Sequence, residues 1–304
     1  MDRRALLIPA LAIIFGSNFM AVKVAAEEAS PLQIVTMRLI IGAIAVAMIV
    51  RLRGVSMRWD APIAARMSVI AVTGTILPFL LITWASTRID SGLSSVLNAS
   101  MPLFTALFAF IAADEDVTAQ RAAGLLIGFA GVAAMTGYAA FDVSGNALAG
   151  QLAVVAAAAS FAASAVYARG LLRTHDGIAL AGGQLALAAV ISSVAFALAG
   201  GRPDASLSAD TWAAIAFAGL ASGGIGYAMY IWLIGQIGSV NASTITYLIP
   251  IVALTLGWLV LGESISLNTI AGMVLIVAGI AVVMRSPARP RTTVSVPVEP
   301  CEAC

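Results

Sequence analysis

Apolar runs of about twenty residues follow one another along nearly the whole chain. A helix that spans a bilayer needs about 20 mostly apolar residues, and ten such runs can be marked, roughly 5–25, 32–50, 64–86, 92–112, 119–138, 147–168, 178–199, 210–234, 240–261 and 267–284. Only 10% of the residues are charged and the mean hydropathy is +1.01, whereas soluble domains carry about 25% charged residues. The sequence therefore predicts an all-α polytopic membrane protein with ten transmembrane helices.

The second half of the chain repeats the first half. Residues 237–285 align without a gap on residues 89–137, and a proline, a glutamate and two glycines keep identical intervals in both copies, at Pro102, Glu115, Gly124 and Gly131 and at Pro250, Glu263, Gly272 and Gly279. Each copy holds five predicted helices, an odd number, so we expect the second copy to be inverted in the membrane relative to the first. The predicted domains are a first repeat at 1–140, a second repeat at 141–286 and a disordered cytoplasmic tail at 287–304.

Arginines are concentrated in the loops on one side of the predicted membrane. If the N-terminus is cytoplasmic, the cytoplasmic side holds Arg3, Arg4, Arg51, Arg53, Arg58, Arg169, Arg173, Arg285, Arg289 and Arg291, and the other side keeps Arg88 and Arg202. Cytoplasmic loops carry an excess of Lys and Arg. The sequence therefore predicts that both termini are cytoplasmic, and the bacterial inner membrane is the expected location.

Three stretches resemble EamA-type proteins of the drug/metabolite transporter superfamily, namely Phe15–Lys23 with Pro31 and Arg38 after it, and the two blocks that begin at Pro102 and Pro250. The resemblance covers about residues 5–285. It implies ten helices in two inverted five-helix repeats and the export of small metabolites such as amino acids. The chain departs from the family pattern at Phe15, where tryptophan is usual, and at Asp114, where the second copy keeps the usual glycine, Gly262.

Polar and aromatic side chains recur at equivalent positions of the two copies. Their three- and four-residue spacing places them on single helix faces, and we expect these faces to converge on a central cavity that binds a zwitterion. The candidate substrate-binding residues are Asn18, Phe79, Trp84, Ser95, Asn98, Ser164, Tyr227, Ser243, Thr246 and Tyr247. Two other interpretations are open. Small hydroxyl residues also allow helices to pack closely, and aromatic residues also form belts at membrane interfaces.

Two prolines stand inside predicted helices at equivalent positions. Pro102 and Pro250 each remove a backbone hydrogen bond and bend the helix. They are candidate gating hinges, and static kinks that shape the cavity are the other interpretation.

Few charged residues lie near the predicted membrane. Arg38 lies about 10 Å into the second helix at ~1.5 Å per residue, and we expect an ion pair with Glu27 or Glu28, or a counter-ion role for a substrate carboxylate. Glu263 and Glu115 stand at turns between helices. They are expected to accept backbone N–H groups at the start of the next helix, with proton coupling as the other interpretation.

The resemblance and the doubled polar faces favour a secondary transporter that exports small metabolites, with amino acids or related compounds as the expected substrates, by alternating access. Two other functions are open: a multidrug, quaternary-cation or nucleoside efflux carrier, and a structural or receptor-like membrane protein. No Asp or Glu lies near the centre of a predicted helix, which argues against cations.

An enzyme is not expected, because the single histidine, His175, lies in a loop and the sequence has no phosphate-binding loop motif. No cofactor, metal or nucleic acid is expected. The small-molecule substrate and the lipid bilayer are the expected partners, and the chain is a candidate homodimer.

Overall fold

The computed structural model describes residues 3–54, 60–112, 118–139, 146–172, 175–204, 206–230 and 245–285. These residues form helices and turns, without a strand among them. The helices are α1 Arg3–Ala25, α2 Pro31–Leu52, α3 Ala61–Ser86, α4 Ser91–Ile111, α5 Ala119–Ala139, α6 Asn146–Leu172, α7 Gly177–Leu198, α8 Ala209–Tyr230, α9 Ile245–Leu261 and α10 Leu267–Arg285.

Most of these helices have the length and composition of membrane spans. Within the described residues, eight helices are long and apolar enough to cross a membrane, and α5 and α9 contain shorter apolar stretches, Ala119–Ala134 and Leu248–Leu261. The prediction of an all-α polytopic membrane protein is confirmed. The predicted tail at 287–304 lies outside the described residues.

Short polar residues begin several helices where the sequence changes from turn to apolar run. An N-cap side chain accepts a backbone N–H group that the first helical turn leaves without a partner. Ser30, Asp60, Asp176 and Ser208 do so for α2, α3, α7 and α8, respectively. The helix boundaries therefore follow from turn chemistry as well as from hydropathy.

Three helices are irregular inside the bundle. A π-helical stretch interrupts α3 at Val72–Ile76 and α8 at Phe217–Gly226. The helix α4 breaks between Asn98 and Met101, and Pro102 follows the break directly. A proline has no N–H to donate to the carbonyl four residues before it, here that of Asn98, and its ring crowds that carbonyl, which explains a break at this place. Pro250 lies inside α9, which continues through it.

Helix contacts occur in pairs related by the sequence repeat. The helix α1 packs against α9, and its counterpart α6 packs against α4. In the same way α2 packs against α8, and α7 packs against α3. Two further contacts join counterparts to each other, α2 to α7 and α5 to α10.

Several helices begin or terminate on the same side of the bundle. We call this side, where α1 terminates, the distal end. Three sets of contacts lie there: Lys23 with Asp90 and Glu263, Glu28 with Ser208, and Gly150 with Arg88. The helices α1, α3 and α9 therefore end at the distal end, and α4, α6 and α8 begin there.

The contact between α5 and α10 depends on glycine. A Cβ atom placed on Gly279 would lie 2.5 Å from the backbone N of Gly128 and 2.6 Å from the carbonyl O of Gly124. A Cβ on Gly131 would lie 2.9 Å from the carbonyl O of Gly272. Since backbone cannot yield as a flexible side chain does, the two helices approach this closely only because these positions lack a side chain.

We expect Gly279→Val to lower the thermal unfolding temperature of the purified protein in detergent. Overpacking a tight contact costs about 1–3 kcal/mol, and here the new side chain meets backbone. The matched control is Ala278→Val, which adds bulk at the neighbouring but exposed position of α10. Equal unfolding temperatures for the two variants would contradict the packing described for α5 and α10.

Candidate functional site

Arg38 is buried where α1, α2 and α3 meet. The residue is only 3% exposed. Its Nη2 donates a 3.1 Å hydrogen bond to Asn18 Oδ1, and its Cζ lies 3.9 Å from the centroid of the Phe79 ring. Arg38 is seven residues from the start of α2 and Asn18 is seven from the end of α1, so both lie about 10 Å below the distal end. These three side chains form what we call the Arg38 site.

The predicted ion pair between Arg38 and Glu27 or Glu28 is wrong. Glu28 accepts hydrogen bonds from the backbone N of Ser208 at 2.9 Å and from Thr211 Oγ1 at 2.8 Å, at the start of α8. The bond from Ser208 and then that from Thr211 hold the pKa of the Glu28 carboxyl below its ordinary value. Glu27 is exposed. Both glutamates stay in the turn, whereas Arg38 points into the bundle, and within the described residues no carboxylate pairs with it.

The second copy contains a neutral counterpart of the Arg38 site. Ser164 and Gln184 stand where the first copy has Asn18 and Arg38. Gln184 Nε2 donates to Thr75 Oγ1 at 2.7 Å and to the carbonyl O of Gly74 at 3.5 Å, and Ser164 Oγ lies against Gly74. Gln184 therefore has protein acceptors on the irregular part of α3.

The irregular stretches of α3 and α8 lie against helices of the other half. Ser160 Oγ of α6 donates to the carbonyl O of Thr73 at 2.6 Å. A Cβ on Gly219 of α8 would lie 2.7 Å from the carbonyl O of Arg38, and one on Gly42 of α2 would lie 3.2 Å from the carbonyl O of Gly219. π-Helical stretches are frequent at functional sites, and here both occur where the two halves meet.

The predicted aromatic residues fall into two environments. Phe79 contacts Phe161 edge-on with ring centroids 5.9 Å apart, and Tyr227 packs against the same buried cluster of α2, α3 and α7 as Phe79. Trp84 is 36% exposed near the distal end, where Arg88 Cζ lies 3.6 Å from its ring centroid. Phe79 and Tyr227 are thus interior side chains, and Trp84 lies at the rim.

Ser95 and Asn98, the predicted residues on α4, have no hydrogen bond to the Arg38 site in the part of the chain that the structure describes. Ser95 is buried and donates to a carbonyl of its own helix at 2.7 Å. Asn98 Oδ1 is buried beside the break in α4, without a hydrogen-bond partner in the described part of the chain. Ser243 lies outside the described residues, and the backbone places Thr246 and Tyr247 on α9.

Glu263 joins the two halves at the distal end. Its Oε1 accepts from the backbone N of Ser91 at 2.8 Å and lies 3.0 Å from Lys23 Nζ. Its Oε2 accepts from Ser91 Oγ at 2.8 Å and from the backbone N of Gly92 at 3.2 Å. Lys23 Nζ also reaches Asp90 Oδ1 at 3.3 Å. We call these residues the Glu263 network.

The expectation that Glu263 binds the start of the next helix is wrong. Its carboxylate oxygens accept backbone N–H groups at the start of α4. The N-cap of α10 is Ser266, whose Oγ accepts from the backbone N of Thr269 at 3.1 Å. A positive φ of 67° at Gly262 turns the chain back after α9. Gly257 leaves room for the carboxylate, because a Cβ at that position would contact Glu263 Oε2. Glu115, the counterpart of Glu263, lies outside the described residues.

Lys23 is a site residue that the sequence did not single out. A cation near the C-terminus of a helix already suits the helix dipole, so its position gave no signal of a partner 67 or 240 residues away. The repeat contained a usable signal, because Ser91, Glu263 and Lys23 each have a counterpart of similar chemistry in the other copy, at Ser239, Glu115 and Arg169.

Opposing effects act on the Glu263 carboxyl, which lies in the turn between α9 and α10. Burial raises its pKa, whereas hydrogen bonds from Ser91, Lys23 and Gly92 together outweigh burial and lower it. The carboxyl is therefore ionised at neutral pH and stabilises the contact between the halves as an anion.

Two cavities flank the Glu263 network at the distal end. The larger, about 370 Å³, is lined by Lys23, Glu27, Arg88 and Asp90 among others. The smaller, about 110 Å³, is lined by Asp90, Gly92, Leu254, Glu263 and Thr269 among others. Asp90 lines both, so the network separates them. Among the described residues, no three His, Cys, Asp or Glu side chains are grouped as metal ligands.

The sequence matches one protein family twice. The sequence model of the EamA-like transporter family covers residues 3–137 and again residues 148–285. The protein named "Uncharacterized transporter YoaV" of Bacillus subtilis (strain 168) is 27% identical over 273 residues, which cover 90% of this chain and 94% of that protein. The protein named "Uncharacterized inner membrane transporter YedA" of Escherichia coli (strain K12) is 25% identical over 261 residues, 84% of this chain and 82% of that protein.

The fold is also found in an experimental structure. One solved crystal structure superposes with a TM-score of 0.65 and covers 91% of this chain and 96% of its own, at 20% identity. At that identity the superposition shows the fold alone.

We expect Glu263→Gln to lower the unfolding temperature at pH 7 by an amount equivalent to about 2 kcal/mol, the scale of hydrogen bonds to a charged group. The folded pKa of Glu263 is lowered, so its stabilisation is fully present above the ordinary value of 4.5 and is lost as the pH falls through the lowered value. The difference between wild type and variant should therefore shrink below pH 4.5.

The measurement is the unfolding temperature in detergent between pH 3.5 and pH 8. Glu27→Gln is the matched control, since Glu27 is an exposed glutamate of the same end. A constant difference between Glu263→Gln and wild type at all pH values would contradict the ionised network.

Proposed function

The chain belongs to the EamA-like transporter family, and from this premise we propose that it is a secondary transporter, and not an enzyme, that exports small metabolites across the bacterial inner membrane. Amino acids or related compounds are its proposed substrates. Transport proceeds by alternating access through a central site between two inverted repeats.

The proposed architecture has ten spans in two inverted five-helix repeats, with both termini in the cytoplasm. The helix ends support it. The helix α1 ends at the distal end and its counterpart α6 begins there. The helices α3 and α8, and α4 and α9, are opposed in the same way. The arginine distribution supports the proposal that the distal end is the outer side.

The single observation that carries the transport proposal is the contact of each irregular helix with the other half. Substrate sites of inverted-repeat transporters lie near the midplane at the repeat interface, where interrupted helices free backbone groups. In this chain α3 is interrupted against α6 and α7, and α8 against α2. A structural or receptor-like protein has no need of paired interruptions with polar partners.

The Glu263 network is the proposed outer closure of the pathway. It fastens Lys23 and the start of α4, from the first half, to the α9–α10 turn of the second half. Lys23 and Asp90 of the network are partly exposed, with 23% and 44% of their side-chain surface accessible, so these charges can exchange protein partners for water. The halves can therefore separate here at a smaller cost than in the glycine contact between α5 and α10.

The proposed site residues divide by position. Asn18, Phe79, Tyr227 and Ser164 lie on α1, α3, α8 and α6; the irregular parts of α3 and α8 pack against α6 and α1, respectively. The candidates on α4 and α9 complete the set, with Pro102 and Pro250 as hinges. Asn98 is the strongest of these, because its buried amide oxygen has no partner in the described part of the chain.

The proposed function is tested by uptake of radiolabelled amino acids into liposomes that contain the purified protein. We expect saturable uptake that unlabelled amino acids inhibit and that Asn98→Ala reduces. Imposed pH gradients distinguish proton-coupled from facilitated transport. Uptake of a quaternary ammonium or a nucleoside, with none of any amino acid, would overturn the proposed substrate class, and no uptake of any of them would overturn the transporter proposal.

We expect a disulfide across the distal end to stop transport. A Cβ on Gly92 would lie 3.1 Å from the Cα of Leu254, so the two backbones are close enough for cysteines at these positions to be tested as a disulfide pair. In a background with Cys301→Ser and Cys304→Ser, the pair Gly92→Cys and Leu254→Cys should lose uptake by at least about tenfold on oxidation and regain it on reduction, because alternating access needs the outer ends to part. The two single-cysteine variants are the controls, and full uptake by the oxidised pair would contradict the proposed outer opening.

A further inference from the structure

The positive charge of Arg38 has no carboxylate partner among the described residues. We propose that the Arg38 site binds the carboxylate of the transported molecule, with Arg38 as the anion anchor, Asn18 as its positioning residue and Phe79 as the surface on which the guanidinium lies. This inference rests on the proposed function and narrows it, because it makes a free carboxylate the group by which the substrate is selected.

The energetic argument starts from burial. A charge taken out of water costs several kcal/mol unless it is paired and fully hydrogen-bonded. Arg38 is 3% exposed, lies about 10 Å below the distal end and has one hydrogen bond, to the neutral oxygen of Asn18. Its Nε is buried with no partner in the described part of the chain. A structural arginine at this depth is expected to have a carboxylate, and the two nearby candidates, Glu27 and Glu28, lie in the turn above it.

The geometry leaves the binding edge of Arg38 free. The guanidinium lies over the Phe79 ring at 3.9 Å, and this contact uses the flat face of the group and none of its N–H donors. Asn18 fixes one Nη2 donor at 3.1 Å. Of the five N–H groups that an arginine offers, the others have no acceptor in the part of the chain that the structure describes. A carboxylate is the group that matches two parallel N–H donors.

The second copy shows what a satisfied version of the same position looks like. Gln184, the counterpart of Arg38, is neutral and has acceptors on α3 at Thr75 and Gly74. Within the described residues, one copy therefore has a charge without a carboxylate partner and the other has a neutral, hydrogen-bonded amide. A substrate with one carboxylate needs one such anchor, whereas a helix contact alone would be met by glutamine in both copies.

The test uses liposomes with the wild-type protein and three competitors of labelled leucine: leucine, leucinamide, which lacks the carboxylate, and 4-methylpentanoate, which lacks the amino group. We expect 4-methylpentanoate to inhibit uptake and leucinamide to need at least about tenfold higher concentration than leucine, since it loses charge-assisted hydrogen bonds. Equal inhibition by leucine and leucinamide would overturn the Arg38 assignment and leave the proposed function intact.

The variant Arg38→Gln, which copies the second repeat, is expected to lose this preference, so that leucine and leucinamide compete within about threefold of each other. Arg38→Lys keeps the charge without the planar fork and should retain an intermediate preference. Arg202→Gln, which removes an exposed arginine from the α7–α8 turn, is the matched control and should behave as wild type. A merely structural role for Arg38 would lower all uptake equally and leave the preference unchanged.

A second measurement, of ligand binding, applies to wild type and to variants that fold but do not transport. Ligand-induced shifts of the unfolding temperature in detergent should show stabilisation of wild type by 4-methylpentanoate and not by leucinamide, with no stabilisation of Arg38→Gln. If Arg38→Gln does not fold, Arg38→Lys and Asn18→Ala replace it. Failure of both carboxylates to stabilise or compete in wild type overturns the site, whereas carboxylate binding without any amino-acid uptake separates the site from the proposed function.

Discussion

Charge that leaves water for the interior of this bundle must find its partner in protein or ligand, because lipid offers none. The constraint explains how the few interior charges are arranged. Glu263 accepts three hydrogen bonds at the start of α4 and forms an ion pair with Lys23. These contacts connect three separate segments of the chain. Arg38 obeys the same constraint only in part, with one neutral oxygen as its acceptor. The first arrangement is complete within the protein, and the second is complete only when an anion is present.

The same constraint governs the backbone. A π-helical stretch or a helix break frees carbonyl and N–H groups that must be satisfied elsewhere. In α3 the freed carbonyls accept hydrogen bonds from the side chains of Ser160 and Gln184, which belong to the other half. In α8 the close approach of α2 at Gly219 and Gly42 covers one side of the irregular segment, while Leu220 and Ile225 are exposed on the other. Irregular backbone thus occurs where the two halves cover it, and regular glycine-lined backbone occurs in the contact between α5 and α10.

Much of the fold could be predicted because hydropathy and the internal repeat are properties of long stretches. Apolar runs survive local error. Of the residues that keep the repeated Pro–Glu–Gly–Gly intervals, the glycines Gly124, Gly131, Gly272 and Gly279 lie together in the contact between α5 and α10. The partners of single charges could not be predicted this way. Lys23 and Glu263 meet through tertiary packing across most of the chain. The expected ion pair of Arg38 with Glu27 or Glu28 rests only on the place of the two glutamates in the adjacent loop. Nearness in sequence gave no information about which way the side chains point. Asn18, Phe79 and Tyr227 could be predicted as site residues because each has a polar or aromatic counterpart at the equivalent position of the other copy.

A duplicated fold begins with two equivalent half-sites, but an amino acid or a similar metabolite has no matching symmetry. The site can select such a molecule only where the copies have diverged. Asn18 against Ser164 and Arg38 against Gln184 are divergences of this kind, since one half keeps a charge and the longer amide and the other keeps neutral groups that bind α3. The divergent residues lie on α1, α2, α6 and α7, which pack against the interrupted parts of α3 and α8, so the polarity that orients a ligand lies next to the irregular elements. The difference between the two copies is therefore the feature from which the substrate's charge distribution can be inferred, while the similarity between them accounts for the architecture.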